Sequence, residues 1–143
     1  MQRERELMSP SPIPTPAPSV QISWGELLDK ITILEIKMQR LNSQAATEKI
    51  GRELAVLNST ANDIISQRPY LLALKEQLKS VNEVLWNIED KIRAKEAAKS
   101  FDQQFIELAR SVYINNDKRG NLKRQINALL NSDFAEEKQY TSY

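Results

Sequence analysis

The 143-residue chain is long enough for one domain with a real core, and its 41% apolar and 27% charged content are those of an ordinary soluble protein. It holds no Cys and no His, which excludes disulfides, structural zinc, thiol nucleophiles and every Ser/His or Cys/His arrangement. A net charge of +1 gives no global attraction to nucleic acid or anionic lipid, and the three scattered glycines make no phosphate loop.

Residues 1–20 read as a disordered arm. Pro10, Pro12, Pro14, Pro16 and Pro18 alternate through an uncharged stretch, favouring an extended polyproline conformation that builds no packed core. The same prolines rule out a spanning helix, and the arm lacks the apolar run of a signal peptide. A cytoplasmic protein is expected. The arm suits a stiff spacer, with a ligand for a proline-reading domain as the alternative.

Residues 21–143 read as a helical domain with a short C-terminal tail. Ser23 and Glu26 form a capping box that opens the first helix, and Leu27, Ile31, Leu34, Met38 and Leu41 give its stripe. Ile33 and Ile36 widen that stripe, so burial on more than one side is expected. A polar break at 42–46 precedes a second helix from about Thr47 to Ser66, with Ile50, Leu54, Leu57, Ala61 and Ile64 on one face. Pro69 then opens the third helix. Its stripe of Leu71, Leu74, Leu78, Val81, Leu85, Ile88 and Ile92 never misses, and the helix runs on to about Lys99. Ser100 with Gln103 is the cap for a fourth helix, striped by Phe105, Leu108, Val112, Asn115, Arg119, Leu122, Ile126 and Leu129. The fold class is therefore all-α: an antiparallel four-helix bundle with a short first hairpin and a longer second one.

Asn115 and Arg119 interrupt the fourth stripe, within a segment poor in helix formers. Three readings stay open: a broken or kinked helix, a buried polar pair that fixes register, or a polar site inside the bundle. Folding the second hairpin about residue 100 sets Asn115 level with Trp86, and Arg119 level with Asn82. Asn82, Trp86, Glu89, Asn115 and Arg119 are thus a candidate small-anion site, with Glu89 the expected acceptor for the Arg119 guanidinium. Lys118, Arg119, Lys123 and Arg124 make a local basic patch without interleaved aromatics, so nucleic acid is not the expected partner. Glu26/Lys30, Glu48/Arg52 and Glu89/Arg93 have the spacing of surface ion pairs. No metal site, cofactor or catalytic residue is indicated.

Helix lengths add a further expectation. Two helices of about 20 residues, roughly 30 Å, cover only part of two of about 30, roughly 45 Å. Beyond about Glu89 and Ser111 the second hairpin should project. It carries Ile92, Phe101, Phe105, Ile106 and Leu108, too much apolar surface for a free tip. Self-association there, most simply as a symmetric dimer, is the expected cover. A protein partner or a returning tail bearing Phe134, Tyr140 or Tyr143 is the alternative.

Ser23-Trp24-Gly25-Glu26-Leu27-Leu28-Asp29-Lys30-Ile31-Thr32, Leu85-Trp86-Asn87-Ile88-Glu89-Asp90, Glu107-Leu108-Ala109-Arg110-Ser111-Val112-Tyr113 and Leu122-Lys123-Arg124-Gln125-Ile126-Asn127 resemble a family of uncharacterised small helical proteins. The resemblance covers about residues 20–143. It implies a bacterial protein encoded among genes for lipopolysaccharide and other surface glycans, and it carries no catalytic assignment. The expected function is a non-enzymatic interaction or accessory protein. The alternative is a small-anion-binding protein or small-molecule enzyme built on the polar cluster.

Overall fold

The computed structural model describes residues 8–132 and 141–143. The first seven residues of the expected arm, and Phe134 and Tyr140 of the tail, lie outside the described residues. Four helices are present: α1 (Trp24–Arg40), α2 (Gln44–Gln67), α3 (Pro69–Ala97) and α4 (Gln103–Leu129). Residues 8–22 hold no helix or strand and are exposed.

Local chemistry sets the boundaries. Ser23 Oγ accepts from the Glu26 N–H at 3.1 Å and starts α1. The reciprocal half of the capping box does not form, because the Glu26 carboxylate goes to Lys123 on α4. Ser43 caps α2 through the Ala46 N–H at 3.3 Å, so α2 begins three residues before the expected Thr47. Pro69 occupies the first turn of α3, where its missing N–H costs no hydrogen bond. α3 ends at Ala97, and Lys99 turns the chain with φ 53°. The cap of α4 is Asp102 rather than Ser100: Asp102 Oδ1 accepts from the Phe105 N–H at 3.0 Å, while Ser100 Oγ donates to Asp102 Oδ2.

The helices run up, down, up, down, but the cross-section is not a square. α1 packs on all three other helices, as does α3, whereas α2 and α4 make no close backbone approach among the described residues. α1 and α3 are therefore parallel neighbours on the short diagonal of a rhombus. This accounts for the width of the α1 stripe: Leu27, Leu28, Ile31, Leu34 and Ile36 are all buried. α2, on a far corner, fully buries only Ala61 and Ile65. Leu71, Leu74, Leu78, Leu122 and Ile126 complete the core. Lys75 reaches Glu35 across the α1–α3 contact at 3.0 Å, and Lys30 reaches Glu53 across α1–α2 at 2.9 Å.

The first hairpin covers only the lower part of the second. At the top of α1, Arg40 donates to Asn87 Oδ1 at 2.6 Å, so α1 ends level with Asn87, close to the expected limit at Glu89. α3 continues for ten more residues, about 15 Å. The projecting end leaves Phe101 56% and Ile106 48% exposed.

Candidate functional site

The interruption in the α4 stripe is not a break: α4 is continuous through residues 115–120. Asn115 donates from Nδ2 to its own helix at Ser111 O, 2.8 Å away. Arg119 instead leaves α4 and meets α1. Its Nε donates to Asp29 Oδ1 at 2.9 Å, and its Nη2 donates to Asp29 Oδ2. This fork onto both carboxylate oxygens is the strongest geometry the two groups can make. Asn82 of α3 completes the cluster, donating from Nδ2 to Asp29 Oδ1 at 2.9 Å and towards Thr32 Oγ1 at 3.0 Å. Thr32 turns its own hydroxyl to Asp29 O at 2.8 Å.

Asp29 is 3% exposed and Asn82 6%. A carboxylate that deep requires a cation and full hydrogen bonding, and three helices supply them at one level of the rhombus. The register predicted from the hairpin is correct for Asn82 and Arg119, which meet on one carboxylate. The expected acceptor is not. Asp29, four residues into α1 from its glycine, takes the guanidinium, and Glu89 lies exposed and paired with Arg93 at 3.2 Å. Trp86 is also elsewhere, half-buried beneath Arg40, whose guanidinium carbon lies 5.8 Å from the ring centroid. Two of the five candidate residues thus share a cluster, and Trp86, Glu89 and Asn115 stand outside it.

Asp29–Arg119 is one rung of a ladder. Arg119, Lys123 and Asn127 recur every four residues along α4 and face successive positions on α1. Lys123, 5% exposed, pairs with Glu26. Asn127 Oδ1 accepts from the Gly25 N–H at 2.7 Å. Ser132 Oγ accepts from the Trp24 N–H at 3.0 Å. Three N–H groups at the start of α1, which have no partner within the helix, are therefore met by Ser23, Asn127 and Ser132. Gly25 permits this approach, since a Cβ there would lie 2.7 Å from Lys123 O. The basic patch expected on α4 dissolves in this arrangement: Arg119 and Lys123 turn inward, and Arg124 holds Asn121 at 2.6 Å. Of the expected surface pairs only Glu89/Arg93 forms, because Glu26 and Lys30 take partners on other helices and Glu48 accepts from Gln44.

The signal for this ladder was present in sequence as Arg119, Lys123 and Asn127 at four-residue spacing beside the apolar stripe of Leu122, Ile126 and Leu129. Long cations at that spacing resemble a solvated face, and nothing local to α4 reveals that Glu26 and Asp29 stand opposite.

At the other end of the molecule, Phe101 and Phe105 meet edge-on with centroids 5.2 Å apart. Ile92 and Leu108, on the same end of the hairpin, are half-buried. Asp102 also accepts from Lys95 at 2.7 Å. Together with the Phe105 N–H, Lys95 holds the Asp102 carboxyl well below its ordinary 3.8, at about 2. Of the three tail aromatics, Tyr143 lies away from this tip: it packs on Tyr113 at 5.2 Å and donates to Asp117, part-way along α4. Among the described residues no group of carboxylates is placed to hold a metal, and no helix is long and apolar enough to cross a membrane.

No curated protein and no solved structure matches the chain. A family model matches residues 11–143, so the similarity extends into the proline run rather than stopping at its end. The chain belongs to the family of unknown function DUF6165.

Proposed function

We propose that this chain is a non-enzymatic interaction protein that presents the end of its second hairpin to a protein partner. One observation carries the reading: exposed Phe101 and Ile106, with half-buried Phe105 packed edge-on against Phe101, sit on a capped hairpin end that projects past α1 and is left uncovered among the described residues. Aromatic side chains displayed with little conformational freedom are the groups that anchor protein interfaces. The alternative reading, a small-anion site on the polar cluster, has less support. The Arg119 guanidinium already forks onto Asp29, and Asn82 donates to Asp29 and faces Thr32.

We further propose a bacterial, cytoplasmic setting as an accessory to surface-polysaccharide synthesis, a step that rests on the family resemblance alone. Tagged full-length protein, and the same chain carrying Phe101→Glu and Phe105→Glu, test the reading in a lysate of the native cell. Capture of a glycan-synthesis protein by wild type and its loss with the variant is the expected result. Equal capture by both, at equal melting temperature, assigns binding to another surface and ends this reading.

A further inference from the structure

We propose that the partner of the projecting hairpin is a second copy of this chain, seated antiparallel in the step where the first hairpin ends. The inference rests on the interaction reading above and names its occupant.

The shape carries the argument. α1 stops level with Asn87 while α3 and α4 run about 15 Å further, so the side view of the molecule is an L. Two identical L-shaped bodies interlock about a two-fold axis, because the projecting length of each equals the depth of the other's step. That contact is isologous and closed, so it makes a dimer and not a filament.

In this arrangement the tip of one copy abuts the α1–α2 turn of the other. The tip offers Phe101, and the turn offers Leu41 and Met38, which are 36% and 38% exposed. Each presents exposed apolar side chains that no described residue covers. Charge does not oppose the contact. Glu89 at the base of the step pairs with Arg93, and Lys99 at the tip pairs with Glu96, so both meet the second copy already neutralised. A two-helix face about 15 Å long and 20 Å wide, with its two end contacts, buries on the order of 1,000 Å² in total, the lower bound for a specific interface. The dimer is therefore expected to dissociate on dilution.

The cysteine-free sequence allows a direct test. Asn42→Cys and Ala98→Cys, both at exposed positions and leaving Leu41 and Phe101 intact, are prepared as separate full-length proteins and mixed under mild oxidation. The proposal expects a disulfide-linked Asn42/Ala98 dimer in several-fold excess over either variant alone, or over either mixed with Val56→Cys on α2. It also expects wild-type sedimentation to shift from monomer to dimer with concentration, and Phe101→Glu to stay monomeric throughout with the melting temperature of the dilute wild type. A wild type that stays monomeric, or cross-linking without preference for the 42–98 pair, overturns it. In that event a glycan-synthesis protein still captured through Phe101 leaves the broader interaction reading standing.

Discussion

The two ends of this bundle handle exposed chemistry in opposite ways. At the base, where α1 starts, polar groups that are costly to bury meet partners on another helix: the Gly25 N–H meets Asn127, Lys123 meets Glu26, and Asp29 meets Arg119 and Asn82. At the tip, apolar groups that would be stabilising to bury are left in water: Phe101, Ile106 and part of Phe105. A fold under selection for stability alone would do neither. The base needs its polar ladder because α1 is buried on three sides and its first turn meets α4 at backbone contact. The tip has no such constraint, and nothing among the described residues covers its apolar surface.

Substitutions at the base should break the contrast most. Asp29→Ala removes the buried carboxylate that Arg119 and Asn82 share in the α1–α3–α4 junction. A loss of about 3–5 kcal/mol in urea unfolding is expected, as when one partner of a buried ion pair is removed. Arg119→Met alone is also destabilising, because it leaves a 3% exposed carboxylate without its cation. The double change Asp29→Leu/Arg119→Met removes both charges and should recover most of that loss, falling short of wild type by about 1–3 kcal/mol for the buried Asn82 donor that loses its acceptor, a non-additivity that marks a structural pair. Gly25→Ala comes next. The new Cβ meets Lys123 O at 2.7 Å and Asn127 Oδ1 at 3.0 Å, so α1 must move off α4. About 2–3 kcal/mol is expected from overpacking and the weakened Asn127 bond.

At the tip the expected effects are small and sharpen the comparison. Asp102 ionises at about 2 in the folded chain, below its ordinary 3.8, with Lys95 the first cause and the Phe105 N–H the second. A lowered folded value means that the contribution is complete above pH 4 and is lost as pH falls towards 2. Asp102→Asn should therefore lower the melting temperature slightly at neutral pH and flatten its decline between pH 4 and 2. An unchanged acid slope would show that the cap contributes nothing.

The helix stripes, the Pro69 boundary and the long second hairpin were legible because periodicity and capping are local. The level of Asn82 with Arg119 was legible because a short turn fixes hairpin register. The partner of Arg119 was not, since Asp29 lies 90 residues away and only the rhombic cross-section brings α1 against α4. A square bundle would have set α1 diagonal to α3, with no junction for Asn82 to share. The spacing of Ser100 to Gln103 fits a capping box, yet Asp102 is the α4 cap because it directly precedes the first turn and Lys95 holds its carboxylate there.

Native-state hydrogen exchange, in dilute solution where the chain is monomeric, tests the division between base and tip most directly. Amides of α1 and of residues 119–127 should exchange only through global unfolding. Those of residues 90–97 and 103–108 should open locally at clearly lower free energy. Uniform protection along α3 and α4, or a first turn of α1 that opens before the tip does, would contradict the account.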